Sequence, residues 1–335
     1  MTLGARVARS LEAGRGGLAS ALGSRVWAAA ASDVSRPLTF PVGAKIIAVG
    51  GSTLGGSGKT PLAVACAKQL AEDGEPVVLV GHAYRASPGY SRVVTPDDDV
   101  RAVGDEALMC ARALAPSGTL VVVGPTRQAA LDHALRLARV AVLDGVAQLR
   151  PARAHLALLA LDAARPWGAG ACPPRGDLRA SKGALLAASD RIVLIGRALP
   201  STVDVDRPTD VAVVQAAGAW LAGSLLSWDE LRSRRVGLWT AIARADRVLE
   251  GLAREGIIPL LVAAQGNHLQ ASPEETARAV ERARDARVDL WLTTAKCVTR
   301  LPGCIGDIPV AMLAYEVSLG ESLVQALRRG VRAAA

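Results

Sequence analysis

At 335 residues, half of them hydrophobic, the chain is long enough to bury two packed lobes or one large core with an appended lobe. Five scattered cysteines, with no C-x-x-C pair and no Cys/His cluster, point away from a zinc module or a disulfide framework and toward a reducing cytoplasm. A formal charge of +8 attracts polyanions, but one Phe, three Tyr and no interleaving of aromatic with basic residues argue against a nucleic-acid platform.

Residues 1–40 carry Arg6, Arg9, Arg15, Arg25 and Arg36 among Leu3, Val7, Leu11, Leu18, Leu22, Val26 and Trp27. This pattern suits an amphipathic helix on an anionic membrane surface, and equally a helix packed on its own protein. No apolar run approaches the roughly 18 residues of a spanning helix, so none is expected to cross a bilayer. From residue 41 onward, short apolar runs alternate with helical stretches. The strands expected are Ile46–Val49, Val77–Val80, Leu120–Val123, Val140–Leu143, Leu156–Leu161 and Arg191–Ile195; the helices are Pro61–Asp73, Glu106–Leu114 and Thr126–Ala138. Strands apolar on both faces and separated by helices predict an α/β fold with a mainly parallel sheet of the P-loop NTPase type and flanking helices.

The Gly-, Pro- and Arg-rich stretch 163–183 reads as a long functional loop, a mobile lid, rather than a packed element. A boundary near residue 225 separates a core spanning 41–225 from a second, smaller α/β lobe at 226–335. In that lobe Val236–Trp239, Ile258–Val262, Leu290–Thr293 and Val310–Leu313 are expected as strands, with Arg244–Glu255 and Pro273–Ala286 as helices.

The first expected strand runs into Thr53-Leu-Gly-Gly-Ser-Gly-Lys-Thr60. Gly55, Gly56 and Gly58 let backbone N–H groups turn toward phosphate oxygens, with Thr53 and Ser57 completing the loop. Lys59 is placed to contact the β and γ phosphates of ATP, and the Thr60 hydroxyl to ligate Mg2+. Thr53 stands where the usual P-loop pattern has glycine. Asp144 closes an apolar run at the C-terminal edge of the sheet, which suits a magnesium-side carboxylate. Arg127 opens a helix and is a candidate for bidentate phosphate contact or a solvated helix-start arginine.

Thr53-Leu-Gly-Gly-Ser-Gly-Lys-Thr-Pro61 resembles the T-x-G-G-[ST]-G-K-T-P loop of the tetraacyldisaccharide 4'-kinase (lipid A 4'-kinase) family. The resemblance continues through Gly104-Asp-Glu106, Val121–Gly124 with Arg127, Leu143-Asp-Gly145, Arg165–Gly168 with Leu178-Arg179, Ala241–Arg244, Asn267-His268 and Thr294–Lys296. Departures fall within motifs: His82-Ala-Tyr84 replaces R-G-Y, Leu143 an aspartate, Ala147-Gln148 a Q-H pair, and Ala180 a glutamate. Asn267 likewise replaces an aspartate, and Ala295 and Cys297 stand for acidic residues.

The resemblance implies transfer of the γ-phosphate of ATP to the 4'-hydroxyl of a tetraacyldisaccharide 1-phosphate, forming lipid IVA. It also implies a peripheral position on the cytoplasmic face of the bacterial inner membrane. Asp105 and His268 then form the acid–base pair at the acceptor hydroxyl, as a carboxylate beside an imidazole allows. Asp105 and Glu106 alone read as the acidic opening of a helix. Glu106 is a second candidate metal contact, and Tyr84, Arg127 and Arg179 are candidate substrate contacts, with Arg175 beside them in the loop. The partners expected are an acylated disaccharide phosphate lipid and the inner-membrane surface, with no nucleic acid and no obligate protein partner. Two other readings are a weak or inactive homologue that still binds nucleotide or acyl-disaccharide, and a P-loop regulatory ATPase.

Overall fold

A computed structural model of the chain describes residues 7, 10–14, 18–83, 86–196, 206–242, 245–264 and 271–332. The chain divides into two compact units: Arg9–Val214 with Val317–Ala335, and Gln215–Glu316 with Met1–Ala8.

In the larger unit, helix α1 (Leu18–Ala30) and strand β1 (Ser35–Pro37) precede β2 (Lys45–Gly51), which leads into α2 (Lys59–Glu72). Then follow β3 (Val77–Val80), β4 (Arg92–Val94), α3 (Val100–Val103), α4 (Asp105–Leu114), β5 (Leu120–Val123) and α5 (Arg127–Leu137). The series closes with β6 (Val140–Asp144), β7 (Gln148–Arg150), β8 (Leu156–Asp162), α6 (Lys182–Ala188) and β9 (Arg191–Gly196), before β10 (Thr209–Leu221) carries the chain out.

The strand order here is β9-β8-β2-β6-β3-β5-β4, parallel except for the edge strand β4. Period-2 alternation sorts β2 between two cores. Ile47 and Val49 pack with Leu62, Cys66 and Leu70 of α2 and Leu108 of α4. Ile46 and Ala48 pack on the opposite face with Ala130, Leu131 and Ala134 of α5. Because β2 is covered on both sides, all seven of its residues are buried, including Lys45, which is why it reads as an uninterrupted apolar run.

The smaller unit contains β11 (Ser224–Leu226), α7 (Trp228–Arg232), β12 (Val236–Thr240), α8 (Ala245–Arg254), β13 (Leu261–Ala264), α9 (Pro273–Asp285), β14 (Leu290–Thr293), β15 (Cys304–Ile305) and β16 (Ile308–Leu319). Its parallel order is β13-β12-β14-β16. Val248 and Leu252 of α8 cover Leu238 and Leu290. On the other face Trp239 and Trp291 meet edge to face at 5.4 Å, a favoured aromatic geometry.

Three expectations change. The boundary near 225 moves to 214/215, and the chain returns to the larger unit at 317. There α10 (Glu321–Arg332) packs Leu323, Leu327 and Val331 into the core of α2 and β2, and Arg328 grips Asp73 with two hydrogen bonds of 2.8 and 2.7 Å. Helix amphipathicity carries no label saying which lobe it covers. The strand expected at Ile258–Val262 begins instead at Leu261, because Pro259 offers no N–H to a ladder.

Finally, the stretch 163–183 is a packed set of turns. Cys172, Asp177, Leu178 and Ala180 are buried, Leu178 bridges Thr53, and Asp177 Oδ1 accepts from Ala169 N at 2.8 Å. A loop pressed against a buried strand end must satisfy its backbone groups there, and side-chain and main-chain bonds supply the partners.

Candidate active site

β2 ends in Gly50-Gly51, and the chain turns through residues 52–58 into α2. A Cβ on Gly51 would lie 2.1 Å from Ser57 Oγ, so only glycine lets the loop fold back onto its own strand. Gly58 takes φ 82° and precedes α2 without offering a side-chain cap. The first amides of α2 are therefore left to an incoming acceptor, and the positive end of the helix dipole favours an anion there. The Thr53 hydroxyl donates to Gly55 O at 2.7 Å, which ties the start of the loop to its first glycine. The loop is braced from outside as well, since Leu54 N donates to Asp177 O and Arg179 N to Ser52 O, both at 2.9 Å.

Asp144 ends β6 in direct register with Val49 of β2. Thr60 Oγ1 donates to Asp144 Oδ2 at 2.8 Å, and both side chains are buried. The other oxygen, Oδ1, is buried and accepts no hydrogen bond among the described residues. Burial pushes this carboxyl up; Lys59 pulls it down, Glu106 pushes it up, and Thr60 and Arg127 pull it down. A buried carboxylate oxygen left without a donor beside a hydroxyl is the arrangement a magnesium ion uses, taking one or two protein oxygens together with phosphate oxygens and water. Among the described residues no three His, Cys, Asp or Glu side chains gather into a metal cage, so the residues fit a metal that arrives with a phosphate ligand.

A Cβ at Gly145 would lie 3.3 Å from Arg127 Nη2 and 3.6 Å from Lys59 Cε, so both cations reach the turn after Asp144. Arg127 Nη1 donates to Gly81 O at 3.0 Å, which orients its guanidinium from the end of β3. Burial holds Arg127 below its usual value, opposed by Asp144 and Glu106 and aided by Arg36 and Arg179. Burial and then Arg36 lower Arg179 in the same way. His82 is pushed down to about 4, first by desolvation and then by Arg127, with Lys59 and Arg179 adding to it and Glu106 opposing. At neutral pH it is an uncharged imidazole, and the fixed charge of the family's arginine is absent from this position.

The fold thus brings Gly55, Gly56, Ser57, Gly58, Lys59, Thr60, Asp144, Glu106, Arg127 and Arg179 to one end of one sheet. Asp105 opens α4 and is buried, with Glu106 half-buried next to it. Arg175 remains exposed. Tyr84, Asn267 and His268 lie outside the described residues. Cys297, in the smaller unit, stands for an acidic residue and accepts from Ala241 N at 3.1 Å, so a thiol closes that turn. Sequence reasoning missed Arg36 as a neighbour of the site, because its only signal was membership of a basic N-terminal stretch.

A strand, a glycine loop, a helix opening on Lys-Thr and a carboxylate at the tip of the adjacent strand define a P-loop nucleotide site of the phosphotransferase kind. The family described as tetraacyldisaccharide-1-P 4'-kinase matches residues 18–332. A tetraacyldisaccharide 4'-kinase from Anaeromyxobacter dehalogenans (strain 2CP-1) is 32% identical over 85% of this chain and 80% of its own length. Another from Methylobacterium sp. (strain 4-46) is 32% identical over 93% of this chain and 94% of its own. In fold, the chain is similar to a crystal structure of LpxK from Aquifex aeolicus, described as an "apo" form in complex with ATP. That likeness has a TM-score of 0.66 at 19% identity and covers 93% of this chain and 95% of the other. The chain belongs to the tetraacyldisaccharide-1-P 4'-kinase family.

Proposed function

We propose that the protein transfers the γ-phosphate of ATP to the 4'-hydroxyl of a tetraacyldisaccharide 1-phosphate, the reaction that forms lipid IVA. The observation that carries this reading is the Thr60–Asp144 pair, at 2.8 Å, set at the mouth of an uncapped glycine loop. The loop amides and Lys59 bind and orient the triphosphate, with Lys59 and Arg127 offsetting charge on its terminal group. Thr60 and Asp144, with Glu106 as a further carboxylate, are the residues to hold Mg2+, which supplies charge neutralisation between phosphate oxygens when bound. Asp105 orients and accepts the proton of the acceptor hydroxyl. His268 is its expected partner by motif, and its part is tested by substitution.

The test is transfer of labelled γ-phosphate to a tetraacyldisaccharide 1-phosphate. Wild type is expected to transfer, and Asp105→Ala and His268→Ala each to fall by about a hundredfold or more, the usual scale of a positioned general base. A well-folded wild type that binds ATP and transfers nothing would favour a weak or inactive homologue.

The acceptor carries acyl chains, so the protein must work at a lipid surface. No helix among the described residues is long and apolar enough to cross a membrane. Helix α1 instead exposes Leu22 (66%), Val26 (63%) and Trp27 (43%), apolar groups one turn apart next to Arg25. That pattern suits peripheral docking on the anionic cytoplasmic face of the inner membrane. A chain starting at Pro41 is expected to sediment with anionic vesicles several-fold less than the full chain, on the scale of a single amphipathic anchor. Equal sedimentation would remove α1 from this role.

A further inference from the structure

Between β8 and α6 the chain carries no helix and no ladder strand, so the turns there keep their shape through what presses on them from each side. One side is the nucleotide loop. Arg179 N donates to Ser52 O and Leu54 N to Asp177 O, both at 2.9 Å, and Ser52 Oγ donates to Pro166 O at 2.9 Å. The other side is α1 with the residues around it. Arg165 Nη2 donates to Glu12 O at 3.3 Å, and a Cβ on Gly23 would come within 3.1 Å of Pro174 Cδ. Ala31 and Val34 pack with Trp167 against the cluster that holds Leu161 and Ala180.

The two sides meet in one residue. The N–H of Arg179 holds the nucleotide loop, and its carbonyl accepts from Trp27 Nε1 of α1 at 3.2 Å. Indole offers a single donor and no acceptor, so this bond uses the whole polar capacity of Trp27. The side chain is still 43% exposed: its N–H edge is spent on the turns while part of the ring faces solvent. A turn gripped from one side is free to shift. Gripped from both, it fixes where Ser52 O and Leu54 N stand, and with them the path of the loop whose amides receive a phosphate.

We infer that Trp27 is a positioning residue for nucleotide binding: through the Arg179 carbonyl it holds these turns against the loop, so that α1 sets the affinity for ATP. This rests on the nucleotide reading of the loop. A loop already kept in its bound shape loses less freedom when the triphosphate arrives, so the contact acts on affinity. Linkage bounds the size, because ATP affinity changes only by as much as the contact differs between the free and bound states. One neutral hydrogen bond is worth at most about tenfold.

The test is calorimetric titration of the full chain with MgATP, without acceptor or lipid, for wild type, Trp27→Phe and Gly23→Leu. Trp27→Phe keeps an aromatic ring and removes the donor. Gly23→Leu places a good helix former in α1 and wedges the helix away from Pro174. Both are expected to bind ATP about threefold to tenfold more weakly, while nucleotide-free melting temperatures stay within about 2 °C of wild type. In the transfer assay the loss should fall on KM for ATP and not on kcat. Unchanged affinity in Trp27→Phe overturns the inference whatever Gly23→Leu does, and so does a loss that only follows a lower melting temperature. A wild type that binds no ATP sinks the nucleotide reading instead, and one that binds ATP with this dependence on Trp27 yet transfers no phosphate sinks the transferase reading alone.

Discussion

Lys59→Ala is expected to lower phosphoryl transfer about a thousandfold, the scale of removing a preorganised charge from a transition state, with little change in folding. Lys59 opens α2, where its stem reaches to 3.6 Å from the Cβ position of Gly145 and lies beside Arg127. Its charge therefore faces the place where the helix amides seat a phosphate, and electrostatics worth little in water are strong in that partly enclosed setting. Lys59→Arg keeps the charge but puts a planar fork next to the Arg127 guanidinium, so it is expected to recover little. Steady-state transfer at saturating ATP measures both. An equal fall in kcat and kcat/KM marks a contact made in the transition state, and a rise in KM alone marks ground-state binding. A loss under about tenfold would remove Lys59 from the chemistry.

Asp144→Asn is expected to move activity and stability in opposite directions. Transfer should fall by about a hundredfold or more, because the amide keeps the shape beside Thr60 but cannot hold a cation as a carboxylate does. Stability should rise. Burial outweighs Lys59 and Arg127 and leaves the folded-state carboxyl above its ordinary value of 3.8, so at neutral pH the ionised group costs folding free energy. The sign follows from linkage: the folded state binds the proton more tightly, and the cost is fully present above the folded pKa. It fades as pH falls through that value toward 3.8.

Asp144→Asn should thus melt about 2 °C or more higher at pH 7, a gain of roughly 1 kcal/mol for a chain of this size, and the gap should shrink on acidification. Thermal melts across pH check this. A lower melting temperature at pH 7 would mean that the Thr60–Asp144 contact supports the fold more than burial of the charge strains it. A site that is costly to maintain is what a stability–activity trade-off looks like at the level of one residue.

Where physics is local, the sequence was easy to read. The runs at Val77–Val80, Leu120–Val123 and Leu290–Thr293 are strands with the expected bounds, because a strand covered on two faces has to be apolar at nearly every position. The Thr126 hydroxyl accepts from Ala129 N at 3.0 Å and starts α5 as an N-cap should. By contrast, β10 went unread: Thr209–Leu221 mixes buried, half-buried and exposed positions without clean alternation, and Gly218 interrupts it, lying so close to Leu226 O that a Cβ there would be 2.0 Å away. Missing that strand displaced the lobe boundary.

By itself, the sequence settled the parallel α/β plan, the phosphate loop from Thr53 to Thr60 and the presence of an acidic residue at the tip of β6, since each depends on neighbours a few positions apart. Only the tertiary structure decided that Asp144 hydrogen-bonds Thr60 across 84 positions, that residues 177–179 brace the loop, and that the last helix returns to the first unit. Those facts depend on which segments far apart in the chain are pressed together, and hydrophobic patterning says that a surface is buried without saying against what.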